Sequence, residues 1–403
     1  MSVENAAVET ANSGREKKRL RIAVLSRNFS PTAGGAERYA IAMVEHLAAR
    51  HDIKVFAQTI EHSWPNVAYQ KISAPVKRPR WVNQLWFASA TWWATRRGFD
   101  VVHSHENTWH GDVQTVHVMP VKYNLFKDQA GLSKLKRSMK WLGVLTSPRL
   151  MVYLAFEHFR YAPKPGRRVV LTSQTLLDVF KRSFPAAART TSVVTPGIEM
   201  PPMRPAQQSQ QEARGLLGLP PDVSCLLFVG NDFKKKGLQT LIEALSLLPA
   251  DVILAVVGGS KHSDLFKQQT MDAGLGNRVF FLGALRDTAP AYLAATCLVH
   301  PTREDTFAMV VLEAMAIGLP VVVSNAAFCG VSALLSHGKN ALLLSNPLDF
   351  GELSNAVEEV LSDGALSARL GEQARSFAKN FDWDHLAKQQ ESIYFESVQA
   401  QHQ

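Results

Sequence analysis

Short apolar runs alternate with amphipathic helical stretches along almost the whole chain, and the alternation stops once and then starts again. Runs at 20–26, 53–57, 100–104, 113–118, 168–172 and 191–195 are too short for buried helices and read as strands of a parallel sheet. A helical pattern from 36 to about 49 follows the first of them. A second series places strands at 224–229, 252–257, 278–282, 297–300 and 320–324, with helices at 237–248, 262–273, 288–295 and 307–317 between them. Between the two series lies PPMRPAQQSQQ, poor in apolar residues and rich in Pro and Gln, the composition of an exposed connection. Strands that alternate with helices pair in parallel through helical crossovers, so each series predicts a doubly wound α/β domain. The divisions expected are a disordered tail at 1–19, a first domain over 20–200 joined by 382–403, and a second over 201–381. The stretch from 350 to 398 is helical in pattern, with a turn near 363 and a break near 381.

With 403 residues, two such domains bury enough core to need no disulfide or metal staple. Cys225, Cys297 and Cys329 sit in apolar or turn-like surroundings and read as buried thiols of a reducing compartment. The first nineteen residues lack the apolar core of a signal peptide, and no run of eighteen apolar residues offers a span, so a cytoplasmic location is expected. The net charge of +9 is concentrated. Eleven Lys and Arg lie between Lys122 and Arg168, opposed only by Asp128 and Glu157, which calls for an anionic partner such as a phosphorylated glycan, nucleic acid or an acidic membrane face.

Three stretches carry candidate chemistry. In PTREDTFAMVVLEAMAIGLP, from Pro301 to Pro320, Asp305 falls at the mouth of an apolar helix and Glu313 two turns inside it. A carboxylate among apolar neighbours needs donors, and the paired hydroxyls of a ribose would supply two. The amides from Thr306 through Phe307 and Ala308 to Met309 would be free at the helix start and suited to a diphosphate or sugar hydroxyls. The loop Gly230-Asn231-Asp232-Phe233-Lys234-Lys235-Lys236-Gly237 opens a helix directly after a strand, a phosphate-site arrangement with cations added. After the first strand, Gly34 and Gly35 let backbone approach a ligand, in a pattern distinct from the dinucleotide G-x-G-x-x-G. The one D-x-D, Asp382-Trp383-Asp384, reads as a helix start with acid in its first turn, and no metal site is assigned.

Asp305, seven residues, then Glu313-Ala314-Met315 and Gly318-Leu319-Pro320-Val321 resemble the signature of the retaining family 4 glycosyltransferases, with Asp305 where that family usually has Glu. The resemblance extends from Arg21 to about Trp383. In G-N-D-F-K-K-K-G, I-E-A-L, the E-A-M helix and the basic insert, it is similar in particular to the bacterial lipopolysaccharide core glucosyltransferases. It implies a GT-B fold, with two Rossmann-like domains facing a cleft and the last helix crossing back to the first. It implies a nucleotide-diphosphate sugar as co-substrate, with no separate cofactor and no metal. The residues it implies are Glu313 for the ribose, Asp305 for the sugar (with Glu304 as a possible contributor) and Lys236 for the pyrophosphate. Asn231 replaces a usual Arg, with Lys234 or Lys235 in compensation. Gly34 and Gly35 would face the donor, Gly283 would lie in the loop receiving the base, and His117, at the end of its strand, would sit near the reacting carbon. Asp112 is a candidate on the acceptor side.

The expected reaction transfers a hexose (glucose from UDP-glucose) or a heptose, with retention, to a lipid-linked phosphorylated glycan, in lipopolysaccharide core or other cell-surface glycan assembly. In the basic segment, Lys134, Lys136, Arg137, Lys140 and Trp141 suit peripheral contact with an anionic membrane, at the cytoplasmic face of the inner membrane. The helix after Pro148 and the Trp-rich stretch 81–97 are expected to turn their apolar sides into the core. Nucleic acid is not expected as a partner. Two other functions share these features: a GT-B epimerase acting on a free nucleotide sugar, which needs no acceptor surface, and a non-enzymatic binder of anionic membranes resting on 122–168.

Overall fold

The computed structural model describes residues 19–32, 34–126, 133–201, 207–260 and 262–403, with nothing said of the side chains at 134, 135, 137, 207 and 208. The expected tail therefore lies outside the described residues up to residue 18, as do the side chains of Lys134 and Arg137.

The first sheet contains β1 (Arg21–Leu25), β2 (Asp52–Ala57), β3 (Val67–Lys71), β4 (Val101–Ser104), β5 (Val113–Val116), β6 (Arg168–Leu171) and β7 (Thr191–Val193), in the order β3-β2-β1-β4-β5-β6-β7. The second contains β8 (Ser224–Val229), β9 (Val252–Val257), β10 (Val279–Gly283), β11 (Cys297–His300), β12 (Val321–Ser324) and β13 (Leu342–Leu344), in the order β10-β9-β8-β11-β12-β13. All pairings within both sheets are parallel, and the two orders repeat one plan. In each, the chain runs outward from the first strand and then crosses to its other side. The crevice at this switch point, beyond the carboxyl ends of the strands, is where ligands of such sheets bind.

Helices cover both sheets. Those of the first half are α1 (Gly35–Leu47), α2 (Arg80–Thr95), α3 (Val121–Phe126), α4 (Lys134–Leu145), α5 (Pro148–Tyr161) and α6 (Gln174–Ser183). Those of the second are α7 (Gln207–Leu217), α8 (Leu238–Leu245), α9 (Ser263–Asp272), α10 (Ala289–Ala294), α11 (Met309–Ala316), α12 (Phe350–Ser362) and α13 (Gly364–Ala378). The last helix, α14 (Trp383–Gln401), follows. Successive side chains of a strand point to opposite faces. In β8, Cys225, Leu227 and Val229 accordingly enter one apolar cluster, and Leu226 and Phe228 enter the other. Burial on both faces explains why β8 and β9 are continuously apolar.

As expected for GT-B, α14 returns to the first domain. Trp383 and Tyr394 join its core, Tyr394 Oη meets His103 Nδ1 at 2.6 Å, and Ser397 Oγ donates to Gly166 O at 2.6 Å. Where the chain crosses between domains, Ile198 N donates to Phe381 O at 2.8 Å. Gly197 lies there against the Trp383 ring, and a Cβ on it would come within 2.5 Å of Cδ2, so no side chain fits.

Three expectations change. Part of the Gln-rich connection is helical, since α7 begins at Gln207. The buried face of α2 consists of Gln84, Phe87, Ala88, Thr91 and Thr95, whereas Trp86, Trp92 and Trp93 are exposed. On α5, burial is confined to Phe156, Glu157, Arg160 and Tyr161, and Met151 and Phe159 face outward.

Candidate active site

The loop after β8 and the loop after β11 meet at the switch point of the second sheet. Gly237 makes that meeting possible: its φ of +80° is left-handed, and a Cβ there would lie 2.0 Å from Pro301 O. Arg303 N donates to Lys235 O at 2.8 Å across the same contact. Lys236 Nζ consequently reaches Asp305 Oδ2 in a short ion pair and lies 3.5 Å from Glu304 O.

Asp305 is saturated. Its Oδ1 accepts from Phe307 N at 3.3 Å and Ala308 N at 2.9 Å, and its Oδ2 faces Lys236 and, at 3.2 Å, His300 Nε2. A carboxylate offers about four lone-pair sites, and here all are used. Burial raises the carboxyl's pKa, but Lys236 and then His300 outweigh it and hold Asp305 well below the usual carboxylate range. Burial pushes the His300 ring down, against the pull of Asp305.

Two of the expected donor groups already have protein partners. Asp305, placed this way, holds Lys236 and its own loop, with both oxygens engaged. Glu304 stands on the cavity wall instead, with Oε1 3.0 Å from Lys235 Nζ. The amides of Phe307 and Ala308 are likewise consumed, because Ala308 adopts a left-handed conformation (φ 68°) that folds the loop back, and α11 starts only at Met309. The adjoining cavity, about 680 Å³, is lined by Asn231, Asp232, Lys234, Lys235, Ser260, His262, Arg303 and Glu304. Its cations and amide suit a diphosphate. Gly283, at the end of β10, has φ +70° and open space where a Cβ would be, and its carbonyl accepts from Gly258 N at 2.8 Å.

Glu313 has found protein donors. Tyr292 Oη donates to its Oε2 at 2.6 Å, and Arg38 Nη1, from α1 of the first domain, lies 2.7 Å from its Oε1. Burial and the neighbouring Glu313 push the Tyr292 hydroxyl well up. Gly34 and Gly35 come to the same place, since a Cβ on Gly35 would be 3.7 Å from Met309 Sδ. Thr306 also crosses the cleft and donates from Oγ1 to His117 O at 2.8 Å.

On the first-domain side, His117 Nε2 lies 3.1 Å from His105 Nδ1 and packs edge-on to Tyr39. Burial first and Arg160 second push His117 down to about 3, so its ring is neutral at pH 7. His103 is also pushed to about 3, by burial and then by His117 and Arg160, and His105 well below the usual range, by burial and then by both neighbouring histidines and Arg160. Arg160 itself is buried and donates to three uncharged acceptors, Gln114 Oε1, Asn107 Oδ1 and Thr115 O, at 2.9, 2.7 and 2.7 Å. A second cavity of about 680 Å³ opens here, with Glu37, Arg80, His117, Arg149, Tyr153 and Arg160 among its lining residues. Burial raises the Glu37 carboxyl.

Asp112 does not join this site. It precedes β5 and accepts from Val102 N at 2.8 Å, at the amino edge of the sheet and opposite the cleft, where it closes the β4–β5 edge. On α4, the Trp141 ring stacks on Phe126 with centroids 4.7 Å apart, Lys136 is exposed and Lys140 half-buried. Sequence reasoning missed Arg38, Tyr292 and His300. Arg38 stood beside the glycine pair, but nothing in the local pattern shows that its partner comes from 275 residues away.

Two family models match successive parts of the chain. Residues 33–200 match the model of Glycosyltransferase Family 4, and residues 209–377 that of Glycosyl transferases group 1. Lipopolysaccharide glucosyltransferase WaaG of Escherichia coli K12 is 27% identical over 360 residues, which is 87% of this chain and 92% of that protein. A D-inositol 3-phosphate glycosyltransferase of Streptomyces avermitilis is 26% identical, over 95% of this chain and 89% of its own length. Among solved structures, WaaG, a glycosyltransferase involved in lipopolysaccharide biosynthesis, superposes with a TM-score of 0.79 at 23% identity, covering 93% of this chain and 99% of that one. Anabaena Alr3699/HepE, solved in complex with UDP-glucose, superposes with a TM-score of 0.71 at 20% identity, covering 92% and 98%.

Proposed function

The chain belongs to the glycosyltransferases of group 1 and family 4 and has the GT-B fold; from that premise we propose that it transfers a hexose, glucose from UDP-glucose, or a heptose to a lipid-linked phosphorylated glycan with retention of configuration. The observation that carries this reading is the contact between a cation-lined loop of the second domain and a histidine-lined cavity of the first. The loop that lines the second-domain cavity with Arg303 and Glu304 runs on to Thr306, which donates to the carbonyl of His117, a residue lining the first-domain cavity. Donor binds in the second domain, with its diphosphate against Lys234, Lys235, Lys236 and Arg303 and its ribose at Glu313. The acceptor occupies the first-domain cavity, with the attacking hydroxyl beside His117.

Chemistry follows from the charges. As the bond from sugar to diphosphate breaks, negative charge grows on the leaving oxygen, and Lys236, held in place by Asp305, stabilises it. The acceptor hydroxyl attacks from the same face, and its proton passes to the departing diphosphate. His117 is neutral and accepts or donates a hydrogen bond without carrying charge. A first-domain cavity with Arg80 and Arg149 at its lining favours transfer to an anionic acceptor over epimerisation of a free nucleotide sugar. The lipid portion is supported by the exposed apolar side chains of α4 (Met139, Trp141, Leu142 and Leu145), set among cations as at a membrane interface. No helix among the described residues is long and apolar enough to cross a membrane, so the contact proposed is peripheral, at the cytoplasmic face.

The test incubates the protein with UDP-glucose, GDP-mannose or ADP-heptose, with and without lipid-linked core glycan. Product anomers are read by NMR. Transfer with retention is expected from one donor and only with acceptor. Epimer formed from donor alone, or no turnover together with unchanged cellular function in Glu313→Ala, would sink the reading.

A further inference from the structure

Each oxygen of Glu313 already has one protein partner, so the ribose assigned to it must either share those oxygens or take one over. Tyr292 holds Oε2 and Arg38 holds Oε1. The two partners differ in their freedom to leave. Tyr292 is 4% exposed within the second-domain core, and withdrawing its acceptor would strand a buried hydroxyl. Arg38 keeps 34% of its side chain accessible and belongs to the other domain, so its guanidinium returns to water at small cost. A diol that takes over an oxygen of Glu313 would therefore replace Arg38 and leave Tyr292 in place. Among the described residues, Arg38–Glu313 is also the one ion pair between the body of the second domain and the first, and the neighbouring link, Thr306 to His117, is uncharged.

We infer that Arg38 is a positioning residue that occupies Glu313 in the empty cleft and is displaced by the ribose hydroxyls of the donor, so that donor binding undoes the ion pair joining the two domains. The inference rests on the ribose role of Glu313 given above. Its consequence is a matter of linkage. A ligand that binds only when Arg38 has left is weakened by the fraction of molecules in which Arg38 is still bound. Removing the guanidinium should then tighten the nucleotide, the opposite of what removal of a direct ligand does.

The experiment is isothermal titration with UDP, GDP and ADP, followed by the 2′,3′-dideoxy form of whichever binds. Arg38→Ala should bind the ribonucleotide about two- to tenfold more tightly than wild type. Its affinity for the dideoxy nucleotide should be unchanged, because that ligand has no hydroxyls with which to displace Arg38. Arg38→Lys should return towards wild type, and Arg38→Gln serves in place of Ala if circular dichroism shows Ala unfolded. Glu313→Ala should weaken the ribonucleotide and abolish the difference made by Arg38→Ala. Weaker ribonucleotide binding by Arg38→Ala, or equal tightening of both nucleotides, overturns the displacement. Unchanged binding by Glu313→Ala overturns the ribose site itself, and with it the displacement.

Discussion

The two walls of the cleft hold polar groups at the ends of buried strands in opposite ways. The second domain keeps a charged set, in which Lys236, Asp305 and His300 stabilise one another and leave Asp305 ionised under all ordinary conditions. The first domain keeps its histidines neutral: burial and the charge of Arg160 push His103, His105 and His117 down, and Arg160 itself is held by uncharged acceptors. Fixed charge suits a leaving diphosphate, whose charge grows during the reaction. Neutral donors and acceptors suit a hydroxyl whose charge changes little until late.

If that division is right, the largest effect belongs to the charged wall. Lys236→Ala should lower kcat/KM by about 10²- to 10³-fold, and His117→Asn by a smaller factor, each in steady-state assays with the donor that proves active. A larger loss in the histidine variant breaks the comparison. Gly237→Ala comes next. Its φ of +80° and the Pro301 carbonyl 2.0 Å from a Cβ force the β8 and β11 loops apart. A loss of about 2–4 kcal/mol in denaturant unfolding is expected, with donor affinity falling alongside. Unaltered stability would mean that the two loops are not braced on each other.

How far these walls were legible depended on the range of the interactions. The strands of both sheets other than β3 and β13 were readable, most plainly β8 and β9, where burial on two faces leaves a nearly uninterrupted apolar run. The edge strand β3 escaped because VAYQK buries none of its residues, and β13 is only three residues long. Lys236, Asp305 and Glu313 were singled out because each lies in a local motif, and the family resemblance of those motifs supplied their roles. Their partners were not, since Arg38 and Tyr292 are joined to Glu313 only by the fold. The exposed Trp92 and Trp93 were misplaced for a related reason: apolarity was taken as burial, while Thr91 and Thr95 hide by bonding back to their own helix at 2.7 Å.

The neutral wall also makes a pH prediction. A histidine whose folded pKa lies below its ordinary 6.5 stays neutral while the unfolded chain takes up a proton, so stability is full above 6.5 and falls as pH drops towards about 3. The depressed Asp305 acts lower, losing its contribution only as pH falls below its ordinary 3.8. The raised carboxyls of Glu37, Asp112 and Glu157 oppose this at the acid end. Between pH 6.5 and 4 the first domain should therefore weaken before the second, seen as earlier loss of amide protection in β4 and β5 than in β8 and β11 by hydrogen exchange. His117→Asn should flatten that slope. Simultaneous loss in both sheets would show that the histidines are not the difference.

The smallest effect concerns the outer face of the first domain. Trp86, Trp92 and Trp93 are 45, 46 and 63% exposed on α2, a helix without a single acidic residue, and Arg96 stacks over the Trp93 ring at 3.5 Å. Trp at a boundary between water and hydrocarbon, with cations beside it, is the pattern of an interfacial contact. α2 and α5 both contribute to the first-domain cavity, through Arg80 and Gln84 on one side and Arg149 and Tyr153 on the other. A bilayer touching α2 and α4 would thus lie beside the cavity proposed for the lipid-linked acceptor. Trp92→Ser with Trp93→Ser should lower partition onto vesicles containing anionic lipid by about fivefold, with a similar fall at raised salt. Activity on a water-soluble acceptor should not change, because neither residue lines the cavity. Equal losses on soluble and lipid-linked acceptors would place these tryptophans in the folding of the domain and not at a membrane.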